Sequence, residues 1–210
     1  MWVIGGFHNP ANLGGLLVGM ALAHPAQLRL LRAEAAAGGR TVQRRLLHCA
    51  ASEVMRVVSP ADVIVRVATA DAVLPPDEAA RGADAGAAAA PRCVLAGDNL
   101  ILHLQAANHG MCPVAAATTA AATAAAATAH EAEHGFNMAR PLEDSGRHLG
   151  FGFGPHRCLG GMFGHLQAEC VMEALLLERP AFRRTLRLEH PFAFEVAGSF
   201  KELPELRATF

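Results

Sequence analysis

The residues best suited to chemistry lie in one glycine-rich stretch, Phe151-Gly152-Phe153-Gly154-Pro155-His156-Arg157-Cys158-Leu159-Gly160. Cys158 stands just before an apolar segment whose spacing predicts a helix over 159–177. A thiol at a helix N-terminus faces aimed N–H groups and the positive end of the dipole, which favours a thiolate. A thiolate can ligate iron or zinc, or act as a nucleophile. Gly152, Gly154 and Gly160 carry no side chains, which leaves room for a flat ligand. His156 and Arg157 add two potential cations beside the sulfur. The same residues would also make a glycine-rich turn with an incidental cysteine, and spacing alone leaves both open. A zinc site built from His156, Cys158, His165 and Cys170 fits poorly. His165 and Cys170 diverge by roughly 140° on one helix at about 100° per residue, and there is no Cys-x-x-Cys knuckle.

The elements that must position this stretch are mainly helical. Ala11 to Ala23 is apolar and glycine-rich, and His24-Pro25 breaks it. Pro25 to Glu34 predicts a second helix with proline in its first turn, where a missing N–H costs nothing. Thr41 to Val57 predicts a third, closed by Ser59-Pro60. Val63 to Val67 is β-branched and reads as a strand, as does Cys93 to Leu95, followed by a turn at Gly97-Asp98. Asn99 to Ala107 fits a short helix or a strand. In the tail, Leu186 to Leu188 and Phe192 to Val196 alternate as strands do. Residues 75–91 and 113–129 are low-complexity Ala-rich insertions within what reads as one domain over 1–210. Cys49 and Cys170 fall in apolar helical stretches and are expected to be buried, inert thiols.

The chain has 210 residues, with 18 Lys plus Arg against 19 Asp plus Glu and a formal net charge of −1. That balance argues against nucleic-acid binding and against a polybasic membrane anchor. Hydrophobic residues make up 52%, so a core is expected, although alanine inflates the figure. Five cysteines without close pairing do not suggest a disulfide framework, which points to a reducing, cytoplasmic setting. No signal peptide is read at Met-Trp-Val-Ile-Gly-Gly, and no apolar run is long enough to span a membrane.

The glycine-rich stretch resembles the heme-binding loop of the cytochrome P450 family, F-x-x-G-x-x-x-C-x-G, with Phe151, Gly154, Cys158 and Gly160 at its fixed positions. His148-Leu149-Gly150-Phe151 and His156 are similar to its bacterial form. Glu53-Val54-Met55-Arg56 matches the E-x-x-R motif of the family's K helix, and Pro60, Arg66 and Asp71 follow its Pro…Arg…Asp strand pattern. Ala106-Ala107-Asn108 resembles the stretch before the meander, and Phe136 to Arg140 resembles the meander's end.

The resemblance implies a mainly α fold with small β-sheets, the C-terminal half of the P450 fold, from the second half of the I helix through the L helix and the C-terminal β hairpin. It implies heme b with Cys158 as the axial thiolate. Phe151, Gly154, Gly160 and His148 would bind the cofactor around the ring, with His156 and Arg66 at the propionates. Glu53 and Arg56 would form an internal structural pair. The implied reaction is insertion of one oxygen atom into a C–H bond of a small organic substrate. A ferredoxin or flavoprotein reductase would supply electrons.

Three departures stand beside this. The chain has roughly half the family's length. Gly5 to Pro10 stands where the I helix carries its acid–alcohol pair, with His8 at the acid position and Pro10 at the threonine position. His8 is then a candidate proton relay, since imidazole titrates near neutrality, or merely an exposed polar residue. The meander arginine is displaced, and His134 or Arg140 is the candidate substitute. The alternative to a monooxygenase is therefore a degenerate or truncated, non-catalytic remnant that binds heme weakly or not at all.

Overall fold

Apolar residues at helical spacing build the frame of the computed structural model. It describes residues 2–37, 44–74, 92–110, 135–140, 147–179, 187–189, 193, 195–197, 200–202 and 206–209. Helix α1 (Trp2–Ala23) buries Leu13, Leu16, Leu17, Met20 and Ala21, an i, i+3, i+4, i+7, i+8 stripe. It begins nine residues earlier than the apolar stretch from Ala11 suggests and runs on through Pro10. Pro10 has no N–H to donate to the Gly6 carbonyl. Helix α2 (Pro25–Ala37) starts directly after His24, whose backbone N–H and ring Nδ1 both reach the Met20 carbonyl.

Helix α3 (Arg44–Val57) is buried on almost every side from Cys49 to Arg56. Leu47, Ala50, Ala51 and Val54 join the common core with α1 and α5. Helix α5 (Gly161–Glu178) places Ala168, Met172 and Leu176 in the same core. A short helix α4 (Leu104–Gly110) packs on α3 and follows strand β4 (Asn99–His103) directly, so the ambiguous 99–107 segment is strand and then helix.

The sheets are small and antiparallel. Strand β1 (Val63–Val67) pairs with β4, with Val63 opposite His103 and Arg66 opposite Leu100. Strand β2 (Ala72–Leu74) pairs with β3 (Arg92–Val94). Its three residues are all exposed, so no alternation marks it in the sequence. In the tail, β5 (Arg187–Leu188) pairs with β8 (Ala208–Thr209), and β6 (Glu195–Ala197) with β7 (Phe200–Glu202). The strand expected from Phe192 starts only at Glu195; Phe192 and Phe194 lie outside the described residues, and Ala193 is not in a strand. The two Ala-rich stretches also lie outside them. Among the described residues, no helix is long and apolar enough to cross a membrane.

An ionic centre locks this frame. Glu53 is fully buried. Arg56, also buried, donates from Nε to Glu53 Oε2 at 2.9 Å and from Nη2 to Oε1 at 2.7 Å. Arg140 Nε donates to both oxygens, at 3.2 and 3.1 Å, and the Asn137 N–H donates to Oε1 at 3.1 Å. Arg56 Nη2 also donates to the Gly135 carbonyl at 3.0 Å. One carboxylate thus ties α3 to segment 135–140, with Arg140 as a second guanidinium beside Arg56, while His134, the other candidate substitute, lies outside the described residues. Segment 135–140 is held a second time by α2, since the Met138 N–H donates to Gln27 Oε1 at 3.0 Å. Removing one partner of a buried pair leaves the other charge uncompensated. Glu53→Gln is therefore expected to cost about 3–5 kcal/mol, read as a lowered urea midpoint.

Candidate functional site

The site forms where α1, the end of α3, and the loop before α5 converge. Asn108 fixes the loop from below. It is buried, donates from Nδ2 to the Met55 carbonyl at 3.3 Å, and accepts the Leu149 N–H on Oδ1 at 2.6 Å. The chain then passes α3 so closely that a Cβ on Gly150 would lie 2.6 Å from Met55 Cε and 3.0 Å from both the Met55 carbonyl oxygen and Ser59 Oγ. Backbone and a buried hydroxyl cannot easily give way. Gly152 and Gly154 both have φ of +72°, the left-handed region that glycine reaches without strain.

A short 3₁₀ turn (Gly154–His156) follows, and the Cys158 N–H donates back to the Phe151 carbonyl at 2.8 Å. The sulfur is thereby set just before Gly161, where α5 begins. Position 160 is glycine with Cys158 Sγ only 3.9 Å from where its Cβ would be. Gly161 and Gly164 make room for the Phe151 ring, which lies 3.2 Å from a Cβ placed at 161.

Above the loop is a cavity of about 280 Å³. One wall is α1, through Gly5, Gly6, Asn9, Pro10 and Leu13. The facing wall carries Phe151, Gly152, His156, Cys158, Gly160 and Phe163. Met55, Ile64 and Leu104 close the sides. The lining is mostly apolar, with one thiol and one imidazole on the same wall. Glycines leave that wall without side chains where a planar group would lie. A soft sulfur donor, apolar walls and a cation-capable rim fit a planar, hydrophobic, iron-bearing cofactor with carboxylate edges.

Of the residues singled out by sequence, Phe151, His156, Cys158 and Gly160 lie in the cavity wall. Gly154 lies in the turn that aims them. His148 and Arg66 are not in the wall. Arg66 is exposed on β1 and donates from Nη1 to its neighbour's carbonyl, Val65, at 2.9 Å. His8 is exposed on α1 and also outside the wall, while Asn9 and Pro10 are in it. Cys49 is buried as expected, but Cys170 is exposed, because it falls on the outer side of α5.

Behind Phe151 lies a histidine layer in which His148, read as part of the cofactor loop, meets His165 and also His48, to which the sequence assigns no role. The His165 ring sits 5.2 Å from Phe151, 4.6 Å from His48 and 6.0 Å from His148. His48 Nδ1 and Glu169 Oε1 are 2.8 Å apart. Burial pushes the His165 imidazole down to about 3, with help from His48, His148 and Arg157. Burial and Arg157 push His148 down to about 4. His148 accepts the Gly150 N–H on Nδ1 at 3.2 Å, a bond that needs the neutral ring. The missed signal was His165-x-x-x-Glu169, an i, i+4 pair on one helix face.

No family model matches the chain. It is 31% identical over 156 residues to a mycinamicin VIII C21 methyl hydroxylase of Micromonospora griseorubida, covering 74% of this chain and 31% of that protein. It is 29% identical over 180 residues to a 20-oxo-5-O-mycaminosyltylactone 23-monooxygenase of Streptomyces fradiae, covering 86% of this chain and 33% of that protein. Among solved structures, that of P450BioI with an acyl carrier protein bearing hexadec-9Z-enoic acid is 25% identical with a TM-score of 0.68, covering 99% of this chain and 42% of that one. The chain thus spans about a third of the length of the curated relatives. The fold is a partial cytochrome P450 fold. The chain belongs to the cytochrome P450 family, whose members are heme-iron monooxygenases.

Two expectations follow from the loop. Gly150→Ala should lower stability by about 1–3 kcal/mol in a denaturant titration, since the added methyl overpacks α3. His148 has a folded pKa of about 4 against an ordinary 6.5, so the unfolded chain takes up the proton first. Its contribution is fully present above pH 6.5 and is lost as pH falls toward 4. His148→Asn keeps an acceptor for Gly150. It should reduce that acid-side loss by on the order of 1–2 kcal/mol, discounted for partial exposure.

Proposed function

We propose that the chain binds heme b through Cys158 and forms part of a monooxygenase. The protein inserts one oxygen atom of dioxygen into a C–H bond of a small organic substrate. The second oxygen atom leaves as water, with two electrons and two protons consumed. The observation that carries this reading is the cavity itself: Cys158 and His156 on a glycine-lined wall facing α1. A heme held by a thiolate supplies activation of dioxygen, because sulfur donation favours O–O cleavage.

The chain's own residues then have distinct tasks. Cys158 would hold the iron through its sulfur, which is placed by the Cys158 N–H bond to the Phe151 carbonyl and by the start of α5. Phe151 is part of the same wall as the sulfur, and Met55 and Leu104 add apolar surface at the sides of the cavity. Gly154 allows the turn that brings His156 into the cavity wall, where its imidazole would suit a carboxylate of the cofactor. Arg66 can serve the second propionate by leaving the Val65 carbonyl. His148 acts on the site through its packing against Phe151, at 5.5 Å between rings. Glu53 and Arg56 hold the frame beneath the loop.

On the opposite wall, Asn9 is the polar side chain that α1 presents among the described residues, beside Pro10. Its amide can orient water but has no proton to titrate, and His8 stands outside the wall. An apolar C–H carbon, such as the methyl named for the Micromonospora relative, suits the Leu13, Ile64 and Phe163 lining. A ferredoxin or flavoprotein reductase in the cytoplasm would deliver the electrons.

Reconstitution with hemin, reduction and addition of carbon monoxide tests the reading. A red-shifted Soret band typical of thiolate ligation is expected, and it should be lost in Cys158→Ser. No such band in the parent chain, or its survival in Cys158→Ser, overturns the assignment. The band without any oxygen insertion by the electron-supplied protein would favour the non-catalytic remnant, a reading that Pro10 in the cavity wall also supports.

A further inference from the structure

We propose that His48, His165 and Glu169 form a second metal site, for a zinc-class transition-metal dication, that clamps α3 to α5 behind the cysteine loop. The ligand-capable atoms of the three residues all lie within 4.8 Å of one another. Two imidazoles and one carboxylate are a common zinc donor set, with a fourth position left for water. Imidazole nitrogens favour zinc, copper or nickel over magnesium or calcium, which prefer all-oxygen shells. Bonds of about 2.05 Å in a tetrahedron set ligand atoms ~3.3 Å apart. The widest separation therefore needs to close by at most about 1.5 Å, within the reach of a side-chain adjustment.

A separate observation points the same way. His165 is 7% exposed, and its Nδ1 is buried with no hydrogen-bond partner among the described residues. An unsatisfied buried nitrogen is costly, typically about 1–3 kcal/mol, and a metal ligated there would remove the cost. His165 and Glu169 share one face of α5, and His48 comes across from α3. The His48 side chain is 41% exposed, which gives an ion a route in from solvent. None of the three residues lines the cavity. The site is therefore independent of the heme reading and stands whether or not that reading does.

The test uses the whole 210-residue chain, stripped with chelator and free of heme. Calorimetric titration with zinc chloride should show one equivalent bound. His48→Ala, at a half-exposed position, and Glu169→Gln, which keeps shape, should each weaken it by about 100-fold or more. Loss of a ligand should exceed the roughly 10–100-fold typical of an outer-shell partner. Substitution with cobalt chloride should give visible bands without sulfur-to-cobalt charge transfer, and Cys158→Ser should leave both zinc affinity and cobalt spectrum unchanged. Absence of stoichiometric zinc binding by chain shown folded by circular dichroism would overturn the proposal. So would binding that survives both His48→Ala and Glu169→Gln, or a charge-transfer band that disappears in Cys158→Ser. In those cases His48 and Glu169 are hydrogen-bonded to each other without a metal between them.

Discussion

The carboxylate of Glu53 is the constraint on which the described structure turns. It is wholly buried and accepts hydrogen bonds from two guanidinium groups and a backbone N–H. A lone buried carboxylate would be intolerable, and a buried pair often gains little over apolar packing of the same volume. What the arrangement does provide is geometric exactness. Its partners come from one turn along α3 and from more than eighty residues further on, at Asn137 and Arg140. Satisfying that charge therefore selects a single placement of 135–140 against α3.

From this centre the support runs outward in short steps. Met55, two residues beyond Glu53, offers its carbonyl to Asn108, and Asn108 receives the Leu149 N–H. Gly150 then passes within reach of the Met55 backbone, so the loop begins at a fixed height above α3. Phe151 is next, its carbonyl holding the Cys158 N–H and its ring seated on Gly161 and Gly164. The sulfur is placed by backbone contacts at each stage. Loop residues with free φ, Gly152 and Gly154, occur only between those anchor points.

Much of this frame was legible in the sequence. The stripes of α1, α3 and α5 are dense enough that burial period identifies them, and the order of Glu53-x-x-Arg56, Pro60 and the cysteine loop points to the family. What escaped has a physical reason in each case. Strand β2 has three exposed residues and is defined by pairing with β3 rather than by its own pattern. Segment 99–107 holds two elements in nine residues, too short for either period to show. The placement of Arg66, exposed on β1 and outside the cavity wall, escaped because sequence says nothing of which way a strand's face turns. The tie between His48 and Glu169 spans 121 residues, a distance at which spacing carries no information. Arg140 was legible only as a candidate beside His134, since its bonds to Glu53 join residues 87 apart.

Phe151 divides two environments that need opposite things. Toward the cavity it is part of an apolar wall beside the thiol. Toward the helix bundle it meets His148 and His165. Had those imidazoles been charged, the cations would sit behind the ring and compete for the same field that acts on the sulfur. Burial holds both well below their ordinary range, so near neutral pH these two rings are polarisable but uncharged. Arg157, exposed beside the cysteine, is then the nearest permanent cation on the loop, and it too lowers both histidines. The charge state of the layer and the position of the loop thus depend on the same packing. A change that loosened Phe151 would admit water and return the imidazoles toward their ordinary titration, disturbing the wall that presents Cys158.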